Sequence, residues 1–326
     1  MAHSHNNTPR VSVVTATRNR PHLLREALLS IKMQSFQEYE AIVVDDGSDP
    51  NVQEEYRKIW SELDNRFILH LSRPPGCPGS DPSTGRNNGI KLARGEFVAF
   101  LDHDDLWLLP DHLEVGVNSL TSMGADYFFT HVRGERNGPI ELEWMTNLAM
   151  LSNGPSALPI AKVSRVPLRK FLKVMKQAMV HPSHSILRRT LLNEVGGFFP
   201  GLKIADDVDI MFRIADRANG ILFRSETAVA IRMPEGKSYS LANSQLEQTL
   251  SWYYAMLHAR VICKKGEVRR CVRAHEGWNL RELATHFSKQ GDFNESLRFA
   301  WQSMAVWTSP GAAVYFLKAL LNTLWR

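Results

Sequence analysis

The stretch that decides the fold is Glu96-Phe-Val-Ala-Phe-Leu-Asp-His-Asp-Asp-Leu-Trp107. Its apolar run ends abruptly at three carboxylates within four residues, which predicts a buried strand with acidic side chains at its carboxyl end. Open α/β sheets bind their ligands at that end of the strands. Alternate side chains share a face along an extended chain, so we expect Asp102 and Asp104 to point into one crevice while His103 points away.

This acidic cluster has two interpretations. Carboxylates in a partly dry site repel one another, and a hard divalent cation with oxygen ligands relieves the repulsion. Mn²⁺ or Mg²⁺ bridging a diphosphate fits that pattern. The alternative is a solvated acidic turn that caps the next helix, for which Asp105 is suited.

Length and composition bound the class of protein. The chain has 326 residues, 44% of them hydrophobic, which suits one large domain with an appendage or two modest domains. Its three cysteines include no C-x-x-C pair, which argues against a disulfide framework and a zinc site. Residues 1–10 are polar, and no uncharged apolar run approaches the length of a membrane span. We therefore expect a cytoplasmic protein with a flexible N-terminus, soluble or peripheral at the inner face of the membrane.

The formal net charge is +5, and its distribution is uneven. No acidic residue occurs between Glu143 and Glu194. The basic residues inside this window are Lys162, Arg165, Arg169, Lys170, Lys173, Lys176, Arg188 and Arg189. Solvated helix faces usually mix both signs, so we expect the window to face an anion, with a solvated basic face as the alternative.

Strand and helix patterns alternate before the acidic stretch. The predicted strands are Val11–Thr15, Ala41–Val44 and Phe67–Leu71, and the predicted helices cover Pro21–Ile31, Val52–Leu63 and Gly85–Arg94. This alternation predicts an α/β fold with a Rossmann-like, mostly parallel sheet flanked by helices. The first turn of the third helix offers backbone N–H groups and the Arg86 guanidinium to phosphate oxygens; alternatively, Arg86 pairs with a nearby carboxylate.

The second half of the chain ends in an all-helical region. Before it, the predicted elements are a helix over Leu109–Met123, a strand over Asp126–His131, a helix over Lys162–Met179 and a strand over Thr227–Ile231. From Leu241 onward the pattern is helical, and Trp278–Pro310 resembles a single tetratricopeptide-like hairpin, which must pack on the preceding helices or on a second copy of the chain. The apolar stretch Ala312–Trp325 either lies on a membrane beside the basic run Arg260–Arg273 or is buried among these helices.

Three motifs carry a resemblance to a known family. They are Asp45-Asp-Gly-Ser48, Gly85-Arg-Asn-Asn-Gly89 and Phe100-Leu-Asp-His-Asp-Asp105. In this order and spacing they resemble the nucleotide-sugar-binding half of family 2 glycosyltransferases with the GT-A fold. The resemblance covers residues 11–240. It implies inverting, metal-dependent transfer from a nucleoside-diphosphate sugar, UDP or dTDP, to a hydroxyl of a saccharide or lipid-linked acceptor in surface polysaccharide or glycoconjugate synthesis.

The resemblance also implies roles for individual residues. Asp45 and Asp46 are expected at the base and ribose of the nucleotide. Asp104 is expected to ligate the metal, and Asp102 to contact the ribose or the metal. The other donor-binding candidates are Thr15, Thr17, Arg18, Arg86 and Asn87.

A second acidic group, Ala205-Asp-Asp-Val-Asp209, stands where such enzymes place an acidic pair at the start of a helix. The resemblance makes Asp207 the catalytic base, and an inverting transfer does need a carboxylate to take the proton of the acceptor hydroxyl. Asp206 is a candidate for contact with the acceptor, with capping of the helix as the alternative. His181 and His184 are candidates for acceptor contact, with structural hydrogen bonding as the alternative.

One position departs from the family pattern. Relatives commonly carry an Arg-x-His turn, whereas this chain has Arg232-Met-Pro234. Water or another group then completes the metal shell, or metal dependence is weaker; Arg232 and Lys237 are candidates to contact the acceptor or the phosphates.

The resemblance divides the chain into functional parts and leaves one rival function. We expect a nucleotide-sugar-binding half over 11–130, an acceptor-binding half over 131–240 and a helical region over 241–326 that could form homo-oligomers. We expect no nucleic-acid partner. A sugar nucleotidyltransferase needs a glycine-rich loop after the first strand, and none follows Thr15. The alternative function is a non-catalytic nucleotide-sugar-binding scaffold that recruits partners through its C-terminal helices.

Overall fold

The structure is a computed structural model that describes residues 8–136, 138–140, 148, 151, 162–175, 180–202, 204–233 and 243–324. The chain divides into two compact units. The first comprises Met1–Gly201 with Arg217–Glu235, and the second comprises Leu202–Asp216 with Gly236–Arg326. Lys176, Pro234 and Lys237, which the sequence analysis singled out, lie outside the described residues.

The first unit is built on one mixed β-sheet. Its described strands are β1 (Val11–Thr17), β2 (Tyr39–Asp45), β3 (Phe67–Leu71), β4 (Phe97–Phe100), β5 (Leu106–Trp107), β6 (Tyr127–Glu135), β7 (Pro139–Ile140), β8 (Val163–Arg165), β9 (Ser185–Arg188) and β10 (Ile221–Arg232). The main order is β3-β2-β1-β4-β9-β6-β10-β5, with β7 paired to β6 and β8 paired to β10. Strands β3, β2, β1 and β4 are parallel, and β9 is antiparallel to both of its neighbours.

Six described helices accompany this sheet. They are α1 (Pro21–Lys32), α2 (Pro50–Trp60), α3 (Pro82–Leu92), α4 (His112–Ser122), α5 (Leu168–Val174) and α6 (Arg189–Val195). Helix α1 begins with a proline, whose fixed φ suits the first turn, and it buries Leu24, Leu28 and Ile31. The strands β1, β2 and β4 are buried almost throughout because helices cover their sheet. The predicted α/β class is therefore confirmed; β9 runs antiparallel to β4 and β6, β10 runs parallel to β6, and β5 runs antiparallel to β10.

The prediction of one helix over Lys162–Met179 is wrong for its first part. Val163–Arg165 forms β8, antiparallel to β10, and α5 begins only at Leu168. Pro167 explains the break, because the residue before a proline is disfavoured in helical conformation. Val163 and Val166 are buried, as expected of a strand that lies against the sheet.

The basic window is partly neutralised by acids from other segments. Arg188 pairs with Glu96 and Asp126, and Lys162 lies 3.4 Å from Glu226. Charge that looks unbalanced along the sequence is thus partly balanced in space. Arg188 and Lys162 therefore do not support the expectation that this window faces an anion.

The second unit is helical over its described residues. Its helices are α7 (Asp206–Arg217, whose last residue belongs to the first unit), α8 (Gln245–Ile262), α9 (Gly266–Lys289), α10 (Phe293–Val306) and α11 (Pro310–Leu324). Ser244 and Glu247 form a capping box at the start of α8. Among the described residues, no helix is both long enough and apolar enough to cross a bilayer.

The two helices of the predicted hairpin are α9 and α10. They approach closely at Gly277, where an added Cβ would lie 2.9 Å from Cβ of Trp307, and Ser303 Oγ donates to the Gly277 carbonyl at 2.7 Å. Ala284, Ala300 and Ala319 form a small shared core. Helix α11 packs on the hairpin through that core, and its exposed face carries Val314, Leu317, Leu321 and Leu324.

Candidate active site

The acidic stretch forms a turn beyond β4. The strand ends at Phe100, residues 103 and 104 occupy the turn, and the Asp105 N–H donates to the Asp102 carbonyl at 3.0 Å. The predicted alternation of Asp102 and Asp104 assumed an extended chain, and the chain turns instead. His103 does point elsewhere, since its Nδ1 lies 3.0 Å from the Ala16 carbonyl oxygen.

Two carboxylates and one imidazole meet at this turn. Among the described residues, Asp102, Asp105 and His181 each offer one ligand atom, and the three atoms lie within 4.8 Å of one another. The His181 Nε2 atom is 3.5 Å from Asp102 Oδ2, and its Nδ1 atom is 3.5 Å from Asp105 Oδ2. Such a donor set suits a divalent cation such as Mn²⁺. Asp104, the predicted ligand, lies on the same turn but outside this group.

Asp105 is buried and joins three segments of the chain. Its Oδ2 accepts from Ser183 Oγ at 2.5 Å, and its Oδ1 accepts from the Arg232 N–H at 3.1 Å. Burial raises the pKa of Asp105 well above its usual value, and the neighbouring charges of Asp104 and Asp102 raise it further. The next helix, α4, has Asp111 at its N-cap position, so Asp105 does not cap it. A cation bound here would relieve the repulsion among these carboxylates.

Sequence reasoning did not assign Asp105 and His181 to one site. The density of carboxylates in the acidic stretch was the available signal for Asp105. His181 comes from a segment about 75 residues later, and only the pairing of β9 with β4 brings its neighbourhood to the acidic turn.

Asp102 is paired with Arg86 of α3. The Arg86 Nη2 atom donates to Asp102 Oδ2 at 2.6 Å, and Nε donates to Oδ1 at 3.3 Å. Burial alone would raise the pKa of Asp102, but the charges of Arg86 and then His181 outweigh it and lower the pKa to about 2. The guanidinium also lies 5.2 Å from the centre of the Phe198 ring. Of the two roles considered for Arg86, pairing with a carboxylate is the one observed.

Asp45 and Asp46 lie at the carboxyl end of β2 and have different surroundings. Asp45 is fully buried and accepts from the Ser48 N–H, the Ser48 hydroxyl and the Tyr56 hydroxyl. Asp46 is partly exposed and accepts from Ser80, at 2.5 Å from the backbone nitrogen and 2.9 Å from Oγ. Asp46 therefore holds the loop before α3, and Asp45 organises its own turn.

The remaining donor candidates also cluster at this edge of the sheet. Arg18 donates to the Cys77 carbonyl at 3.0 Å, which fixes the same loop. Asn87 exchanges two hydrogen bonds of 2.8 Å with the backbone of Phe198. Thr15 and Thr17 are buried at the end of β1, and the Thr15 hydroxyl has no hydrogen-bond partner in the described part of the chain. The structure thus brings the end of β1, the end of β2 and the start of α3 together.

His184 is a structural residue. It is fully buried, its Nδ1 lies 2.5 Å from the Thr130 carbonyl oxygen, and its Nε2 accepts from the His181 N–H at 2.8 Å. Burial lowers its pKa to about 3, so the ring is neutral. Both ring nitrogens are used inside the protein, which supports the structural alternative for His184.

Arg232 lies at the end of β10, near the acidic turn. Its backbone N–H holds Asp105, and its side chain pairs with Glu26 of α1. Its Nη1 atom is buried and has no hydrogen-bond partner among the described residues.

The acidic pair of the second unit opens α7. Asp206 and Asp207 occupy the first turn, where the partial positive charge of the helix N-terminus favours carboxylates. Asp207 Oδ1 accepts from the Val208 N–H at 2.8 Å. Ala205, just before the helix, has a φ of +68°, an unusual conformation for a residue with a side chain.

A buried network is centred on Asp209, which also lies in the first turn of α7. Asp209 is fully buried, receives Arg213 at 2.5 Å and lies 2.7 Å from Nδ1 of His258 on α8. Sequence reasoning missed this network, although the i, i+4 spacing of Asp209 and Arg213 was a signal for the first pair. It ties α8 to the helix that carries Asp207.

Comparison with known proteins places the chain in a family. Residues 12–196 match the model of glycosyl transferase family 2. The chain is 29% identical to the succinoglycan biosynthesis protein ExoW of Rhizobium meliloti over 61% of its own length and 60% of the relative. It is 33% identical to the GalNAc(5)-diNAcBac-PP-undecaprenol beta-1,3-glucosyltransferase of Campylobacter jejuni over 42% of each chain. The chain thus covers less than two thirds of either relative.

A solved structure shares the fold. The crystal structure of S. aureus TarS 1-349 in complex with UDP-GlcNAc aligns with a TM-score of 0.68 at 20% identity. The alignment covers 96% of this chain and 89% of that one. It therefore extends over the sheet-containing unit and the helical region alike.

Proposed function

The chain belongs to glycosyl transferase family 2, and from this membership we propose that it is an inverting enzyme using a UDP- or dTDP-sugar. The acceptor we propose is a hydroxyl of a saccharide or a lipid-linked saccharide, in surface polysaccharide or glycoconjugate synthesis. The names of the two relatives, in succinoglycan synthesis and in transfer to an undecaprenol-linked glycan, support this class of acceptor. The observation that carries the proposal is the Asp102, Asp105 and His181 group beside Arg86.

This group suits a donor whose leaving group is a diphosphate. When bound, Mn²⁺ or Mg²⁺ supplies positive charge to the departing diphosphate. Asp102, Asp105 and His181 would hold the cation, with Asp104 on the same turn as a further candidate. Arg86 keeps Asp102 ionised, and Nη1 of Arg232, which has no hydrogen-bond partner among the described residues, is proposed to donate to a phosphate oxygen.

The nucleoside is proposed to lie at the carboxyl ends of β1 and β2. Asp46 is partly exposed there, and the Thr15 hydroxyl has no hydrogen-bond partner among the residues that the structure describes. Asp45 is enclosed by Ser48 and Tyr56, so we assign it to shaping the pocket wall rather than to hydrogen bonding with the base. Arg18 and Asp46 position the loop that ends at α3.

Proton transfer is assigned to Asp207. An inverting displacement requires a base that takes the acceptor proton as the anomeric carbon is attacked from the side opposite the leaving group. In the first turn of α7, Asp207 Oδ1 accepts from the Val208 N–H and lies near the positive end of the helix dipole, a setting that suits a carboxylate. Asp206 is proposed to contact the acceptor beside it.

Turnover of the donor tests the proposal. The chain is incubated with UDP- and dTDP-sugars and Mn²⁺, and release of the nucleoside diphosphate and the anomeric configuration of the product are followed by NMR. We expect inversion, and we expect Asp207→Asn to lower the rate by about 10²- to 10⁴-fold while donor binding persists. The control, Asp292→Asn, also removes a carboxylate from the second unit but retains a capping side chain on α10, so its rate should be unchanged.

Two outcomes would contradict this account. A wild-type rate in Asp207→Asn would remove the assignment of the base. Donor binding with no turnover for any sugar or acceptor would favour the non-catalytic scaffold.

A further inference from the structure

Positive charge is concentrated around the turn between α8 and α9, where the net charge equals the formal net charge of the whole chain. Residues 260–273 contain six basic side chains and one acidic side chain, a net charge of +5, and the formal net charge of the chain is also +5. The basic residues are Arg260, Lys264, Lys265, Arg269, Arg270 and Arg273. The rest of the sequence is therefore balanced, and this turn is the place where a net attraction for anions is concentrated.

Four of these cations line an open groove. Its volume is about 460 Å³, and its lining residues are Arg260, Val261, Cys263, Lys264, Arg269 and Arg273. Lys264, Arg269 and Arg273 are exposed, and these six lining residues include no acid. Three of the four cations that line the groove are therefore exposed to solvent.

Besides Glu267 within the segment, two acids from outside it lie near these cations and offset part of their charge. Glu276 is buried, lies 3.2 Å from Arg260 and also interacts electrostatically with Arg273, so it offsets part of the charge of these two cations. Asp216 accepts hydrogen bonds from the backbone N–H groups of Lys264, at 2.9 Å, and Lys265, at 2.6 Å. It therefore fixes the course of the turn through the backbone.

Apolar side chains accompany the cations. Val261 is 73% exposed and Ile262 is 40% exposed, both in the last turn of α8. A site for a small soluble anion gains nothing from exposed apolar side chains. Cations beside apolar side chains are typical of segments that bind at the interface of an anionic bilayer.

We propose that this groove binds the phosphate headgroups of an anionic lipid bilayer, with Val261 and Ile262 entering the interface. The site lies in the second unit and uses none of the residues assigned to sugar transfer. This inference rests on the proposed function, because the purpose of the groove would be to bring the enzyme to a lipid-linked acceptor.

Vesicle sedimentation with the full chain tests this proposal. Binding is measured to phosphatidylcholine vesicles that contain phosphatidylglycerol and to vesicles of phosphatidylcholine alone. Each Lys or Arg at an anionic surface contributes about 1 kcal/mol, or about fivefold in affinity, so Lys264→Gln with Arg269→Gln should weaken binding by roughly 25-fold. The matched control, Lys58→Gln with Lys91→Gln, removes the same charge from exposed positions of the first unit and should change binding little.

A third variant tests the apolar contact. Val261→Asn keeps every charge and alters an exposed side chain, and it should also weaken binding to the anionic vesicles. Circular dichroism checks that each variant is folded.

Three results would overturn the proposal: equal binding to both kinds of vesicle, equal losses in the two double variants, or occupation of the groove by inorganic phosphate without vesicle binding. Because sugar transfer is not measured, failure of the catalytic proposal would leave this result unaffected.

Discussion

Two buried histidines make the first unit sensitive to acid at the scale of single residues. Burial lowers the pKa of His112 and of His184 to about 3, from a usual value near 6.5. The unfolded chain therefore binds more protons than the folded chain between these pH values. Their contribution to stability is complete above about pH 6.5 and is lost as the pH falls, by about 1.4 kcal/mol per pH unit for each histidine.

His112→Phe should reduce this pH dependence. Neither ring nitrogen of His112 has a hydrogen-bond partner among the described residues, and the ring centre lies 4.8 Å from that of Trp107, so an aromatic replacement suits the site. Urea denaturation at several pH values between 4 and 6 should show a slope smaller by about 1.4 kcal/mol per pH unit. The exposed His22→Gln should keep the wild-type slope. An unchanged slope in His112→Phe would show that this histidine does not titrate as its burial requires.

Arg86→Gln should be strongly destabilising. It leaves the Asp102 carboxylate largely buried without its guanidinium partner, and breaking a buried pair on one side costs about 3–5 kcal/mol. The comparison is Arg25→Gln, which breaks the solvent-exposed pair with Glu62 and should have little effect. Both are measured by urea denaturation at neutral pH. Equal losses of unfolding free energy in Arg86→Gln and Arg25→Gln would show that burial does not strengthen the dependence of Asp102 on its partner.

At the scale of elements, the contact between α3 and β1 positions Arg86. A Cβ added at Gly89 of α3 would lie 2.3 Å from Cγ1 of the buried Val14. Gly89→Ala should therefore lower the free energy of unfolding by about 1–3 kcal/mol, despite the better helix propensity of alanine. Gly311→Ala in α11, where no atom of another described segment lies within 4 Å of the added Cβ, should be neutral or stabilising. Stabilisation by Gly89→Ala would mean that the two elements are less closely packed.

The elements show what a single sequence can predict. Strands such as Phe67–Leu71 and the helix at Pro21 follow from local apolar spacing and proline position, and they appear as predicted. The helix over Lys162–Met179 failed at its start because β8 depends on its pairing with β10, which lies more than 50 residues away in the sequence.

The same distinction applies to the site. Asp102 and Arg86 were identified from their motifs, whereas the grouping of Asp105 with His181 depends on strand order. Local patterns thus identify chemical groups, and long-range pairing decides which of them meet. The spacing of residues along the sequence does not by itself predict this long-range pairing.

At the scale of the whole molecule, the sheet-containing unit carries the proposed donor site, and the helical unit carries Asp207 and the basic groove. The central claim is that the first of these units binds a nucleoside diphosphate with a divalent cation. The measurement that tests it most directly is calorimetric titration of the full chain with UDP, dTDP, GDP and CDP, each with Mn²⁺ and again with a chelator. We predict binding of UDP or dTDP that is lost with the chelator and weakened by Asp102→Asn. Absence of binding by every nucleotide under both conditions would contradict the account.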